Sequence, residues 1–406
     1  MSVAHSLGFS CIGADKKLKE ALDAYRKGTI SEAALLGVGQ DMRATHWQLQ
    51  ADAGIDLLPV GDFAWHERVL THSLMFGVIP ERFRPIEGEP TLDTLFTMAR
   101  GDAQSCGRGE QALELGKWFD TDYHYLVPEL STDQQFRLSW TQLFDEVEEA
   151  RNLGHKVKPV LIGPLTYLWL GKATGAPFDK LDLLERLLPI YGEVLERLAA
   201  QGVEWVQIDE PVLVLDLPQA WKNAFERAYN LLQRAPLKKL IATYFGGVKD
   251  NLGLAAALPV DGLHIDLVSA PDQYPLVIDR LPTYKVLSLG LVDGRDAQRC
   301  DLDKALPVLG HAAERLGERL WVAPSCSLLH VPMVRKSDAE LEDWLGFASQ
   351  KCGEVVMLAR AIDQANGDIV QAAMQDGCEF QASWVQPPRI HKPQVFERKA
   401  RRAMVA

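Results

Sequence analysis

Short, nearly continuous apolar runs recur along the chain at residues 7–13, 55–63, 157–165, 205–213, 240–245, 262–268, 285–292 and 320–325, each bounded by Gly, Pro, Asp or Asn. An apolar run without alternation predicts a strand covered on both faces, as in a parallel sheet. Helical spacing fills the intervals. Residues 15–27 place Leu18, Ala21, Leu22 and Tyr25 on one face, and residues 31–53 do the same with Ala34, Leu35, Val38, Met42 and Leu49. Residues 181–200 repeat the pattern with Leu184, Leu187, Leu188, Tyr191, Leu195 and Leu198. Eight strands alternating with helices predict an α/β fold, a single (β/α)8 TIM-type barrel. Residues 64–155 are too many for one crossover. They predict a helical insertion after the second strand, with loops at 81–90 and 101–110. The barrel is expected over 1–386, followed by a basic tail at 387–406 that carries Arg389, Lys392, Arg398, Lys399, Arg401 and Arg402 against Glu397.

Charge narrows the partners. Among 406 residues, 43 Lys+Arg face 55 Asp+Glu, a net charge of −12. Nucleic acid and anionic membrane attract a clustered basic face, so neither is expected as the main partner. The six cysteines, at 11, 106, 300, 326, 352 and 378, form no C-x-x-C pair, which argues against a disulfide framework or a zinc ribbon. Residues 1–13 show no basic stretch followed by an apolar one, and no run of about 18 apolar residues occurs, so a cytoplasmic location is expected.

In a parallel barrel the loops after the strands converge on one face, so chemistry is sought at strand ends. Cys11, Asp62, Asp209, Glu210, Tyr244, Asp266, Asp293, Cys326 and His330 all fall there. Asp209 and Glu210 end a fully apolar strand, and Pro211 stops the ladder. His264 and Asp266 alternate on one strand face, the placement a metal pair or a His–Asp couple needs, although a satisfied core histidine has the same spacing. Cys326 follows a strand between two serines, where it is either a nucleophile, a ligand or packing. Lys16, Lys17 and Lys19 crowd the opening turn of the first helix, where positive charge opposes the helix dipole and an external anion would relieve it.

Longer motifs resemble the cobalamin-independent methionine synthases. They are Gly54-Ile55-Asp56-Leu57-Leu58-Pro59-Val60-Gly61-Asp62-Phe63-Ala64-Trp65, Lys117-Trp118-Phe119-Asp120-Thr121 running on to Tyr123-His124-Tyr125, Trp205 through Pro211, and Ser325-Cys326-Ser327-Leu328-Leu329-His330. The resemblance spans nearly the whole chain and is to the amino-terminal one of the family's two related barrels. It implies methyl transfer from a 5-methyltetrahydropteroyl-polyglutamate to homocysteine, with zinc held by the other, carboxy-terminal barrel. It also implies a site for the folate polyglutamate at Lys16, Lys17, Leu18, Lys19 and Lys117, and an interdomain linker at 387–406.

The zinc barrel uses a His-x-Cys pair, a Glu and a later Cys, and the corresponding positions here are Thr243, Phe245, Asp266 and Cys326. Two of the four cannot be ligands of that kind, so no metal or other cofactor is expected in this chain, and Asp209, Glu210, Asp266 and Cys326 form a vestigial barrel mouth. The expected partners are the folate and a separate zinc-bearing barrel. The sequence departs from the family pattern at Ser10, Cys11, Ala297, Gln298 and Val331. Where mouth carboxylates converge, pairing is expected, with Arg295 gripping its neighbour Asp293. Two alternatives stand beside this reading: a glycosidase-like hydrolase using Asp209, Glu210 and Asp266 as acid and base, and a plain interaction module.

Overall fold

A computed structural model describes residues 2–9, 17–85, 88–101, 111–296, 298–331 and 339–363, with the backbone alone over 339–346 and at 363. Ser10, Cys11, Lys16, most of the 101–110 loop, Ala297 and the 387–406 tail lie outside the described residues. One compact unit runs from Met1 to Asp363.

Eight parallel strands form the sheet among the described residues: β1 (Val3–Ala4), β2 (Leu58–Val60), β3 (Val157–Ile162), β4 (Trp205–Asp209), β5 (Lys238–Ala242), β6 (Gly262–Asp266), β7 (Val286–Val292) and β8 (Leu320–Pro324). Their spatial order is β1-β8-β7-β6-β5-β4-β3-β2. A parallel bridge from His5 to Leu57, with Asp56 N donating to Ala4 O at 2.8 Å, joins the two ends of that order and closes the barrel. Six of the seven later strands fall inside the apolar runs, and β5 starts two residues ahead of its run, on Lys238 and Lys239. The first does not: pairing begins at Val3, and Leu7 to Phe9 already lie beyond it, where Phe9 N donates to Asp62 at 2.6 Å. The barrel face of the first strand is polar, so hydrophobic continuity misplaces it.

Helices cover the outside. α1 (Lys17–Arg26) and α2 (Glu32–Asp52) follow β1, and Ser31 caps α2 by accepting from Ala34 N at 3.2 Å. The insertion after β2 carries α3 (Arg68–Met75) and α4 (Leu92–Arg100) before α5 (Gln142–Asn152) returns to the barrel wall. It also holds an antiparallel hairpin that the helical expectation missed, Leu115–Lys117 against His124–Leu126. A second apolar cluster forms there. Phe63, Trp65, Leu92, Phe96, Leu113 and Leu126 make its core, and Leu18, Leu22 and Tyr25 of α1 pack onto it. α6 (Pro164–Leu170) follows β3, and the wall is completed by α7 (Leu184–Ala200), α8 (Gln219–Leu232), α9 (Leu252–Ala257), α10 (Tyr274–Arg280), α11 (Leu302–Leu316) and α12 (Ala339–Asp363). No helix of the described residues is long and apolar enough to cross a membrane.

Candidate functional site at the barrel mouth

Barrel interiors of this kind are usually filled by Val, Ile and Leu. Here a polar string runs through the interior. His5 and His264 both bond the Ser288 hydroxyl, at 2.7 and 2.8 Å. The buried Lys158 ammonium donates to Ser6 O at 3.1 Å and to the Gln207 side-chain carbonyl, while the Gln207 amide donates to Leu7 O at 2.9 Å and to Asp209 at 2.7 Å. Burial pulls Lys158 down to about 7, with Asp209 and Asp62 pulling it back. His264 is thus a satisfied core histidine and has no bond to Asp266. Burial lowers its pKa to about 3.

The strand-end carboxylates do not converge as expected. Asp209 faces the interior and pairs with Arg68 on α3 at 3.0 Å. Glu210, the next residue, points the opposite way, as strand alternation requires. It accepts from Leu165 N (3.3 Å), Thr166 N (2.8 Å), the Thr166 hydroxyl (2.5 Å) and the Tyr229 hydroxyl (2.8 Å), so it ties the start of α6 to α8. Burial raises it to about 7 against these donors. A Cβ on Gly163 would lie 2.1 Å from the Glu210 carboxyl, so only glycine fits beside it. Asp266 accepts from Phe245 N, Val268 N and Ser269 N at 2.8–3.0 Å, holding Phe245 in left-handed backbone at φ 71°. With Glu210 and Asp266 bonded into turns and helix starts, the acid–base pair of a hydrolase is not assembled.

Arg295 does not grip Asp293 with its side chain. Its backbone N–H donates to the Asp293 carboxylate at 2.8 Å, while the guanidinium donates to Asp120 O at 2.7 Å and lies 5.4 Å from the Phe245 ring centroid. Two residues apart on a turn, a backbone N–H reaches the carboxylate first, and the long side chain is left to span to the hairpin. The arginine that does neutralise a mouth carboxylate, Arg68, is 141 residues from Asp209 and left no local pattern.

The hairpin brings rings over this end. Trp118 and Phe119 are 5.1 Å apart, Phe119 and Phe245 6.3 Å, Phe245 and His330 5.1 Å, and His330 and Tyr123 5.7 Å. Phe119 shares the left-handed backbone, at φ 46°. Positive φ in a bulky residue costs energy and gathers where a structure serves a site.

The four positions matching the family's zinc ligands do not fit the metal. Thr243 donates to His264 O at 2.8 Å, Phe245 has no ligating atom, and Asp266 is spent on backbone N–H groups. Cys326 is buried, and burial with the nearby Asp266 and Asp293 holds its thiol well above the usual range. Among the described residues no group of three His, Cys, Asp or Glu could hold a metal ion.

Of the proposed basic site, Lys17 and Lys19 are exposed on α1, and Leu18 packs against the second apolar cluster. Lys117 is exposed on the hairpin, 4.0 Å from Asp122. Gln298 is exposed, with its carbonyl accepting from Lys351.

A family model described as the cobalamin-independent synthase N-terminal domain matches residues 3–317. Among solved structures, the fold is similar to a candidate vitamin-B12-independent methionine synthase from Listeria monocytogenes, with TM-score 0.60 and 14% identity over 89% of this chain and 99% of that one. It is also similar to a B12-independent methionine synthase from a Shewanella species, solved with selenomethionine, with TM-score 0.56 and 14% identity over 79% of this chain and 89% of that one.

Proposed function

The chain belongs to the cobalamin-independent methionine synthase family, a methyltransferase family, through its N-terminal domain, and on that premise we propose that it binds the polyglutamate tail of a 5-methyltetrahydropteroyl-polyglutamate and transfers no methyl group by itself. The observation that carries the reading is the shared seat of two basic elements. Leu18 of α1 and Leu126 of the hairpin belong to one apolar cluster, so Lys17, Lys19 and Lys117 stand on elements with a common support. Exposed ammonium groups suit a flexible chain of carboxylates, which needs charge more than geometry. Homocysteine and zinc chemistry is then the work of a separate barrel, because Thr243, Phe245, Asp266 and Cys326 make too poor a ligand set.

Calorimetry tests the binding. The triglutamate form should bind more tightly than the monoglutamate, and the advantage should shrink as salt is raised, since exposed charge pairs are screened. Replacing Lys16, Lys19 and Lys117 together by Ala should remove about tenfold of affinity for the triglutamate, the sum of three exposed pairs. Equal affinity for both folates would dismiss the site. The metal is checked separately: elemental analysis after gel filtration should find well under one zinc per chain, and a stoichiometric, chelator-resistant zinc would contradict the non-catalytic reading.

A further inference from the structure

We propose that the barrel mouth is a binding site for a small carboxylate carried on an apolar or aromatic body, gripped by the Nε/Nη2 edge of Arg68 beside the rings of Phe119, Tyr123, Phe245 and His330. The inference is independent of the folate reading. Arg68 has a side chain only 8% exposed and uses Nη1 for Asp209. Its Nε and Nη2 are shut away from solvent and have no hydrogen-bond partner. These two nitrogens share the side of the guanidinium that presents two parallel N–H groups, the fork that matches a planar carboxylate.

The same molecule shows that edge in use. Arg43 donates from Nε and from Nη2 to the two oxygens of Glu149, both at 2.9 Å. A purely structural arginine fills its fork in this way, and buried donors left empty are uncommon in folded proteins. Trp118 on the overlying hairpin carries another buried unpartnered donor, its indole N–H.

The surroundings favour an anion with a ring. Arg68 and Arg295 both bear on His330, whose pKa they help burial to lower, and so supply cationic groups at this end beside the carboxylates of Asp209 and Asp62. Tyr244, which bears on both Asp209 and Arg68, packs on Phe245 at 4.7 Å between ring centroids, which links the Arg68 pair to the ring cluster. Phe119 and Phe245, the two members of the cover in left-handed backbone, have the strained geometry that bulky residues adopt around functional sites.

Calorimetric titration of the full chain with benzoate, benzyl alcohol and inorganic phosphate tests this. Benzoate should bind, and neither of the others should bind comparably. Arg68→Lys keeps a positive charge beside Asp209 but has no fork, and it should weaken benzoate about tenfold or more, the worth of one charge-assisted hydrogen bond. Phe119→Leu, which leaves the arginine intact, should weaken it severalfold and decides the matter if the lysine variant does not fold. Replacing Lys19 and Lys117 by Ala should leave benzoate binding unchanged, which separates this site from the folate site. Absence of benzoate binding, equal binding of phosphate, or full affinity in either mouth variant would overturn the proposal.

Discussion

Replacing Arg68 with alanine is expected to cost about 3 kcal/mol of stability, the low end of the range for breaking a buried ion pair. Asp209, at 1% side-chain exposure, would lose the guanidinium 3.0 Å away and keep the Gln207 amide, with the Lys158 ammonium as its nearby buried cation. The loss sits at the low end because two unbonded donors leave with the arginine, and each costs free energy while buried. Adding Asp209→Asn to Arg68→Ala should restore much of the stability, since the buried charge is then gone. Urea denaturation of the single and double variants gives the answer. A single variant within about 1 kcal/mol of the parent, against the several kcal/mol expected for an orphaned charge, would mean that the pair does not hold the mouth together.

A loss of stability as pH falls below about 6, from a roughly level region at near-neutral pH, is the second expected result, and it follows from buried groups of opposite sense. His72 and His264 are held at about 3 by burial, and His5 well below its ordinary value for the same reason. His72 accepts from Ile162 N at 3.0 Å on Nε2 and bonds Arg68 O on Nδ1, so a second ring proton would break a bond. These histidines add stability that is complete above the unfolded value of 6.5 and lost as pH falls toward 3, because the unfolded chain takes up the protons first. Glu67, Glu146 and Glu210, raised by burial to about 8, 8 and 7, act the other way. Their contribution is complete below 4.5 and lost as pH rises to 7 or 8. Between 4.5 and 6.5 the two sets oppose. Below 4.5 the buried histidines, His330 among them, dominate the difference between states, each ring adding a fall of about 1.4 kcal/mol per pH unit, which Asp62 and Asp266, both raised by burial, partly oppose. Denaturant midpoints across pH 3 to 9 measure the curve, and His264→Gln should soften its acid limb. Lys158, Lys180 and Lys285, lowered by burial to about 7, 8 and 8, add a rising contribution above pH 7, so the glutamates are tested singly: Glu67→Gln should remove a decline between pH 5 and 7, and an unchanged curve would contradict its assignment.

Seven of the eight strands were legible because a parallel strand covered on both faces leaves a short apolar run, and the bounding Gly, Pro, Asp and Asn distinguish it from a buried helix. β1 broke the rule for a reason visible in the barrel: His5 faces a Ser288 hydroxyl instead of aliphatic side chains. The hairpin in the insertion was hidden because Lys117 and His124 alternate with too few apolar neighbours over three-residue strands. At the site, sequence named Asp209, Glu210 and Asp266 correctly as strand-end residues but could not tell where each carboxylate turns. One residue of alternation sends Asp209 to Arg68 and Glu210 to the start of α6. Arg68 itself carried no signal, since its partner is a long-range neighbour, whereas Arg295 was assigned to Asp293 by proximity along the chain. Proximity in sequence favours the backbone N–H over a long flexible side chain.

The seam that closes the barrel is narrow, and α12 holds it. Ser2 donates to Ala359 O at 2.7 Å, Arg360 pairs with Asp56 at 2.7 Å, and Asp56 in turn accepts from Ala4 N at 2.8 Å. β1 has only two paired residues, matched to β8 more than three hundred positions away. During vectorial synthesis, then, the opening segment must wait on the ribosome without its sheet neighbour until the stretch around 320 emerges, and without its brace until residue 360 follows. Domains of this size pass through partly assembled species, and here the last of them is an open seven-strand arc whose exposed edges are β2 and β8. Completion of the ring therefore waits for α12, and a chain that has not yet made it carries a barrel whose two sheet edges remain open to any other strand.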